Sequence, residues 1–447
     1  MKRKNIILII AHDLGQHISP YGVKTVQTPN LERMAAEGIL FEKNFCTSPG
    51  CSPSRAAIFT GRYPHTNGVM GLTHADFLWR FNAGEKHLAQ VLKENGYDTC
   101  LLGNWHENNR IDNVGYQTTV VRTGENFELC PDVNQNATHP NALDLAERAD
   151  FYFEQMKEDE KPFFMYAGIF EPHRPFNFKE CIPDIEKGCW IPPYIPQDTP
   201  EQRAAAEEEF SAMQGCIKRM DEAIGSLLRS LEKQGLKDDT LVLFTSDHGV
   251  AMPRAKCTLY DAGIETPLML WGGGMPENIR FGNLISNIDY FPSLLSWAGI
   301  AVPENIQGRN FMPLISGGEY ESHPEVFAEK NYHRDYDPIR CIRTEKYKFI
   351  INFELNVAYD APSDIQQGAI YRTAVEKYME LRPRFELYDL EADPSEQNNL
   401  AYSENYSTVR NELQIRLIEW MKQTEDPLLN GPVPSIYNRK IFEELNI

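Results

Sequence analysis

The chain has 447 residues, of which 42% are hydrophobic and 24% are charged. These are the proportions of a folded globular protein and not of a disordered or fibrous one. Its 44 lysines and arginines against 64 aspartates and glutamates give a formal net charge of −20. We therefore expect no nucleic-acid partner, since nucleic-acid binders need a basic surface. An anionic substrate would need a local group of cations or a metal ion to hold it.

The first residues and the cysteines bear on the cellular compartment. No apolar run approaches the roughly 18 residues of a membrane span. The apolar run at residues 5–11 is followed by His12 and Asp13 where a signal peptide would have its cleavage site. We expect no membrane partner and a cytoplasmic location, or a periplasmic one if a leader is missing. The nine cysteines include no Cys-x-x-Cys pair, which argues against a zinc knuckle or a disulfide framework.

Strand and helix patterns alternate along the first two thirds of the chain. Such alternation predicts an α/β fold in which helices cover both faces of a large, mixed, mostly parallel sheet. The apolar patterns predict strands at residues 5–10, 98–103, 162–169, 240–245 and 267–271 and helices at 29–37, 84–95, 142–157, 200–234 and 290–298.

The pattern changes near residue 323. Short strand-like segments follow at residues 326–329, 340–344, 347–352 and 386–389, and an amphipathic helix is predicted at 407–424. We therefore expect a smaller C-terminal subdomain with an antiparallel sheet and a helix. The predicted division is an α/β domain at residues 1–325, which carries the chemistry, and an α+β subdomain at residues 326–447.

Chemically active side chains follow four of the predicted strands. In an open α/β sheet, ligands bind beyond the carboxyl ends of the strands, and four such strand ends together favour a functional site over packing. Mixed carboxylate and imidazole groups could surround one divalent cation. Calcium prefers oxygen ligands, whereas imidazole suits manganese or zinc. Alternatively, the aspartates cap the segments that follow the strands. The residues are His12 and Asp13, then Asn104 to His106, then Glu171 and His173, then Asp247 and His248.

The segment that begins at Cys51 has the pattern of a helix start. Ser52 is expected to cap the helix and Pro53 to occupy its first position. Cys51 would then lie at a helix N-terminus, where the dipole and the free N–H groups favour anions. Arg55, one turn along, would face it. A cysteine so placed could be a nucleophile with a lowered pKa; the alternative is a buried cysteine before a capped helix.

The same segment carries a resemblance to a known family. Cys-x-Pro-x-Arg, extended here to Thr60-Gly61-Arg62, resembles the activation motif of the type I sulfatases of the alkaline phosphatase superfamily. The resemblance extends from residue 5 to about residue 427 and implies an alkaline phosphatase-like fold. Other segments agree in order: Gly103-x-Trp105-His106, Glu171-Pro172-His173, Ser246-Asp247-His248-Gly249, Lys256-x-Thr258-Leu259-Tyr260-Asp261 and Glu386-Leu387-Tyr388-Asp389.

The resemblance implies a formylglycine mechanism. Cys51 would be oxidised after translation by a formylglycine-generating maturation enzyme, and a hydroxyl of the formylglycine hydrate would attack sulfur. Arg55 would hold that hydroxyl, and His106 would lie near the formylglycine or the sulfate. His173 and Lys256 match residues that bind the sulfate or protonate the leaving group. Such groups fit the chemistry, because sulfate transfer needs cations around the sulfate oxygens and an acid for the departing atom.

The resemblance also implies a metal site with two unusual features. Asp13, Asp247 and His248 match metal positions, and the implied ion is calcium, although His12 and His248 would also suit manganese or zinc. His12 stands where the family usually has aspartate, and Asn104 stands where it usually has lysine. One anionic ligand and one cation are thus missing together, which predicts a modified metal site or an altered sulfate pocket.

Several segments resemble heparan N-sulfatases more than arylsulfatases, among them residues 71–74, 171–174 and 219–221. The leading substrate is therefore N-sulfoglucosamine at the non-reducing end of a heparan or heparin fragment, which would make the protein a sulfamidase of glycosaminoglycan degradation. Sulfate esters of other glycans are an alternative, as is a phosphate or phosphonate ester hydrolase on the same fold. A catalytically impaired sugar-binding homologue is a third. Asn104 weighs against a phosphate substrate, and the retention of Cys51 and Arg55 weighs against loss of catalysis.

Overall fold

A computed structural model of the chain describes residues 4–75, 77–110, 114–178, 180–355 and 359–446. The described residues contain both β-strands and α-helices. The strands are β1 (Asn5–Ala11), β2 (Gly38–Phe45), β3 (Asp98–Gly103), β4 (Thr119–Thr123), β5 (Asn126–Cys130), β6 (Phe163–Ile169), β7 (Thr240–Ser246), β8 (Leu268–Gly272), β9 (Ile279–Ser286), β10 (Glu325–Tyr332), β11 (Tyr336–Thr344), β12 (Tyr347–Asn352) and β13 (Phe385–Asp389).

The helices vary from one turn to 34 residues in length. No helix among the described residues has both the length and the hydropathy that a membrane-spanning helix needs. The α-helices are α1 (Pro29–Ala36), α2 (Cys51–Thr60), α3 (Pro64–Asn67), α4 (Leu88–Glu94), α5 (Val133–Asn136), α6 (Ala142–Met156), α7 (Pro200–Lys233), α8 (Asp261–Ile264), α9 (Tyr290–Ala298), α10 (Met312–Ser316), α11 (Ser363–Gln366), α12 (Ala369–Thr373), α13 (Val375–Tyr378), α14 (Ser407–Gln423) and α15 (Ile436–Leu445).

Seven of these strands form one large sheet in the order β3-β6-β1-β7-β8-β2-β9. All neighbours are parallel except at β8, which runs antiparallel to β7 and β2. The central strands β1, β6 and β7 are buried along their whole length. A strand buried on both faces is apolar throughout, and this is the pattern from which the strands were predicted. The predicted mixed, mostly parallel sheet is confirmed.

Helices cover both faces of this sheet. Because successive side chains of a strand point to opposite faces, Ile7 and Ile9 pack with α6 and α7, whereas Ile6 and Leu8 pack with α2, α4 and α9. Burying one isoleucine side chain contributes roughly 1.5–3 kcal/mol. The strand at the centre of the sheet is therefore held from both sides, and its carboxyl end is a rigid support for the residues that follow it.

The C-terminal part of the chain forms a second, antiparallel sheet in the order β10-β11-β12-β13. Helix α14 packs against it through Leu413, Leu417 and Trp420, and the Trp420 ring stacks on Phe327 with 4.8 Å between ring centroids. The predicted smaller antiparallel sheet with a helix is confirmed. The division of the chain between residues 325 and 326 stays a prediction.

Three differences from the predicted elements have local causes. Strands β2 and β9 were not predicted, because exposed or half-buried polar residues interrupt their apolar patterns. The hairpin of β4 and β5 was also missed, since most of β5 is exposed. The helix predicted at residues 84–95 begins only at Leu88, because the His87 side chain accepts a hydrogen bond from the Ala89 N–H and caps it there.

Candidate active site

The predicted metal ligands meet where two neighbouring strands end. Strands β1 and β7 pair in parallel with Ala11 opposite Ser246, so the residues that follow them lie at the same edge of the sheet. The Asp13 N–H donates to Asp247 Oδ1 over 2.9 Å. Asp13 Oδ1 also lies 3.1 Å from His248 Nε2. The two predicted aspartates and His248 thus form one buried cluster.

His12 lies in the same cluster and is fully buried. Its Nδ1 is 2.7 Å from Asp13 Oδ1 and 3.5 Å from Asp247 Oδ2. Burial alone would lower the pKa of His12, but Asp247 and Asp13 raise that pKa to about 9. His12 therefore balances the two carboxylates with positive charge, at the position where an aspartate would have added a third negative charge.

Cys51 is the first residue of α2, and the residue before the helix is Gly50. The prediction that Ser52 caps the helix and that Pro53 is its first residue is wrong, because the helix already includes Cys51 and Ser52. The Cys51 Sγ lies 3.3 Å from His248 Nε2 and 3.9 Å from Asp13 Oδ1. Cys51 is thus at a helix N-terminus, as expected, and directly beside the cluster of predicted metal ligands.

The charge around Cys51 favours its thiolate. Burial alone would raise the pKa of the thiol, but Lys256, His12 and His248 lower it well below its ordinary value. The protein therefore concentrates positive charge at this sulfur atom, although its overall charge is −20.

Arg55 is buried behind the cluster. Its Nε and Nη2 donate to Asp247 Oδ2 over 3.1 and 2.9 Å, and its Nη1 donates to the Tyr166 hydroxyl. That hydroxyl in turn donates to the Asn104 carbonyl over 2.8 Å. These bonds orient a predicted metal ligand, and the role of Arg55 in holding a hydroxyl group at Cys51 stays a prediction.

Lys256 and His173 lie on the other side of Asp13. Lys256 Nζ is 2.7 Å from Asp13 Oδ2 and 3.4 Å from His173 Nε2. His173 Nδ1 is 2.6 Å from the Arg174 carbonyl, so Nδ1 carries the proton and Nε2 is free to accept from Lys256. Burial alone would lower the pKa of Lys256, but Asp13 and Cys51 raise it well above its ordinary value. Lys256 is a buried cation next to a neutral imidazole.

His106 and Asn104 complete the pocket. His106 Nδ1 is 3.4 Å from His12 Nε2, and burial lowers the pKa of His106 to about 4. The Asn104 side chain is fully buried, and both its amide oxygen and its amide nitrogen lack a hydrogen-bond partner among the described residues. Buried polar groups normally have hydrogen-bond partners. A ligand or a water molecule is therefore expected to supply the partners of this side-chain amide.

Comparison with known proteins identifies the family. A sequence profile described as Sulfatase matches residues 4–300. The chain belongs to the sulfatase family. A second profile, described as N-sulphoglucosamine sulphohydrolase, C-terminal, matches residues 253–369 of the sulfatase. The resemblance drawn from the motifs is confirmed, and so is the prediction of a sulfuric ester hydrolase.

Individual relatives match over nearly the whole sulfatase. Human N-sulphoglucosamine sulphohydrolase is 28% identical, over 96% of this chain and 92% of its own. An ulvan-active sulfatase of Formosa agariphila is 26% identical, over 98% of this chain and 78% of its own. A protein solved in complex with its substrate D-glucosamine-2-N,6-O-disulfate superposes with a TM-score of 0.71 at 20% identity, over 96% of this chain and 99% of its own. The last match shows a shared fold.

The residues of this sulfatase fit the divalent metal that its family uses. Single donor atoms of two carboxylates, two imidazoles and a thiol lie within 4.8 Å of one another, contributed by His12, Asp13, Cys51, Asp247 and His248. Such a mixed donor set suits a divalent cation. Binding would displace the proton that His12 carries, since an imidazole ligates in its neutral form.

Two residues of the site were not predicted from the sequence. Tyr166, the partner of Arg55, lies inside the continuous apolar run of β6, where the pattern indicated packing alone. Asp364 lies in α11, after the predicted domain division, and its Oδ2 is 3.2 Å from Lys256 Nζ. Asp364 follows none of the predicted strands, so the rule that finds active residues at strand ends did not select it.

Proposed function

We propose that this sulfatase hydrolyses the N-sulfate of glucosamine at the non-reducing end of heparan-type saccharides. The observation that carries the proposal is the convergence of Cys51, His173 and Lys256 around Asp13 in one buried pocket. The substrate class is supported by the matched C-terminal profile, which spans Lys256. It is also supported by the human relative, named for the same sugar.

The nucleophile in this proposal derives from Cys51. A separate maturation enzyme converts it to formylglycine, and the hydrate of that group faces His248 and Asp13 from the start of α2. A divalent cation, with calcium as the leading candidate and manganese or zinc as alternatives, supplies positive charge to the nucleophile and the sulfate oxygens when bound. Arg55 keeps Asp247 in position for that ion.

The remaining residues hold the sulfate and the leaving group. Lys256 brings a buried positive charge to the pocket and can stabilise the charge that develops on the sulfate oxygens. Its hydrogen bond to His173 Nε2 places a proton on the Lys256–His173 pair beside Asp13. That proton is available to the atom that leaves sulfur, which must be protonated as the bond breaks. His106 approaches the same pocket from the loop after β3.

The test is sulfate release from a panel of substrates by protein produced together with a maturation enzyme. We expect the highest kcat/KM on a disaccharide that ends in N-sulfoglucosamine, at least about tenfold above that on 6-O-sulfated N-acetylglucosamine. Ulvan oligosaccharides are the second candidate substrate, because the Formosa agariphila relative is named an ulvan-active sulfatase. A preference for them would contradict the proposed substrate but not the family. Release of phosphate from a phosphate ester would support the phosphate hydrolase instead.

Mass spectrometry of the peptide that contains Cys51 tests the nucleophile separately. We expect the mass of the aldehyde in place of the thiol when the protein is produced with the maturation enzyme. An unmodified thiol in a preparation that still releases sulfate would contradict the formylglycine mechanism and point to a thiolate nucleophile.

A further inference from the structure

Helix α11 brings a carboxylate of the C-terminal region into the catalytic pocket. Asp364 Oδ2 lies 3.2 Å from Lys256 Nζ, and donor atoms of Asp13, His173 and Asp364 lie within 4.8 Å of one another. The side chain of Asp13 is fully buried, whereas that of Asp364 is 24% exposed. Asp364 is therefore the more exposed of the two carboxylates that Lys256 contacts.

The same carboxylate lines a cavity of about 400 Å³ between α7 and the segment α11–α12. Its wall also includes Arg174, Glu208, Gln367 and Arg372. A volume of this size is in the range of small-molecule sites. Asp364 thus contacts Lys256 of the pocket on one side and borders this neighbouring cavity on the other.

The charge of Asp364 is unexpected for a pocket that binds an anion. Asp13 already neutralises Lys256 at 2.7 Å, so Asp364 is a second carboxylate on one ammonium group. A carboxylate beside the sulfate opposes the binding of that anion, since like charges a few ångströms apart repel. This carboxylate would favour catalysis if positive charge appears on the leaving group.

A sulfamate differs from a sulfate ester in that respect. In R–NH–SO₃⁻ + H₂O → R–NH₃⁺ + SO₄²⁻, the sulfur–nitrogen bond breaks, its electron pair stays on nitrogen, and sulfur gains a bond to the attacking oxygen. Nitrogen takes one proton from the Lys256–His173 pair before the bond breaks, so that it carries positive charge in R–NH₂⁺–SO₃⁻ as it reacts. The departing amine takes a second proton from solvent and becomes an ammonium. The alcohol that leaves a sulfate ester stays neutral.

We propose that Asp364 is a specificity-determining residue that selects a nitrogen leaving group by binding it as it becomes an ammonium. The proposal rests on the proposed function. A charge-assisted hydrogen bond from ammonium to carboxylate is about twice as strong as a neutral one, and it forms with the amine and not with the alcohol. Asp364 thereby favours N-sulfated over O-sulfated glucosamine.

The first test compares Asp364→Asn with wild type on an N-sulfated and a 6-O-sulfated glucosamine. We expect kcat/KM on the N-sulfated sugar to fall at least tenfold and kcat/KM on the O-sulfated sugar to change less than threefold. Equal losses on both would mean that Asp364 acts only by holding Lys256, and would overturn the proposal. Glu207→Gln removes an exposed carboxylate of the same helix α7 that lies outside the cavity wall, and it controls for general charge.

The second test does not depend on turnover. Calorimetric titration with glucosamine and with N-acetylglucosamine measures whether the free amine binds at Asp364. We expect Asp364→Asn to weaken glucosamine binding about tenfold, or about 1.4 kcal/mol, and to leave N-acetylglucosamine unaffected. Unchanged glucosamine affinity would overturn the inference. Wild-type protein that binds glucosamine through Asp364 but releases sulfate only from O-sulfated sugars would instead contradict the proposed function.

Discussion

The pocket around Asp13 and the Arg340–Asp426 pair of the C-terminal region both contain buried charges, but their hydrogen bonds differ. In the subdomain, Arg340 is fully buried and donates to both carboxylate oxygens of Asp426 over 2.5 and 2.9 Å. It also donates to the Asn331 amide oxygen and to the carbonyls of Lys330 and Ile339. All five N–H donors of the guanidinium therefore have acceptors.

In the catalytic pocket, several groups instead compete for the same carboxylate. Lys256, His12, His173 and His248 all lie within 3.6 Å of Asp13 oxygens. The nearby side-chain amide of Asn104 has no hydrogen-bond partner among the described residues. The comparison shows that burial of charge alone does not identify a site. Arg340 thus has the complete set of partners of a structural ion pair, whereas the groups around Asp13 are crowded and leave the Asn104 side chain without a partner among the described residues.

Removal of the proposed nucleophile should have the largest effect on catalysis. We expect Cys51→Ala to lower kcat by at least about 10⁴-fold, because the loss of a nucleophile leaves only binding and electrostatic stabilisation. Sulfate release measures it. Cys130→Ala, in the exposed hairpin strand β5, is the matched control and should leave kcat unchanged. Residual activity near wild type in Cys51→Ala would show that the pocket works without this residue.

Removal of the structural cation should affect folding and not chemistry. We expect Arg340→Ala to lower the free energy of unfolding by about 3–5 kcal/mol, because it leaves the Asp426 carboxylate buried and unpaired. Denaturant unfolding measures it. Arg416→Ala breaks the more exposed pair with Glu325 and should cost less than about 1 kcal/mol. A reduced kcat per folded molecule in Arg340→Ala would contradict the separation of the two regions.

Removal of divalent cations by a chelator tests whether Asp13, Asp247 and the imidazoles beside them hold a metal ion. We expect EDTA to abolish sulfate release and to lower the free energy of unfolding by about 2.7 kcal/mol relative to protein with the ion at 100 times its Kd. Thermal unfolding measures the second effect independently of activity. Calcium should restore both, and recovery with manganese or zinc alone would assign the site to an imidazole-preferring ion. An unchanged Tm after complete removal of metal would contradict the assignment.

The smallest expected effect concerns the support of the metal cluster. Tyr166→Phe removes the acceptor of Arg55 Nη1 and the donor to the Asn104 carbonyl. We expect a loss of about 1.5–3 kcal/mol in unfolding free energy, as for a hydrogen bond to a charged group. Tyr97→Phe, which removes a neutral bond to the Lys4 carbonyl, should cost about 1 kcal/mol. Equal losses would mean that Tyr166 has no special role beside Arg55.

Much of the fold was predictable because its central strands are buried on both faces. The continuous apolar runs of β1, β6 and β7 are recognisable in the sequence. The positions of the polar residues that come after these strands could therefore be predicted as well. Strands β2 and β9 were missed because they have exposed positions on one side. The helix at Cys51 was predicted, but its first turn was misplaced by two residues, since Gly50 and not Ser52 precedes it.

The sequence by itself determined the α/β class, a helix that begins near Cys51 and the placement of His12, Asp13, Asp247 and His248 after their strands. Local patterns of apolar residues predict these features, because a strand that is buried on both faces is apolar along its own sequence. The tertiary structure alone decided that Arg55 binds Asp247, 192 residues away, and that Asp364 reaches Lys256 across 108 residues. Such pairings join segments that are far apart in the sequence, and no local pattern records them.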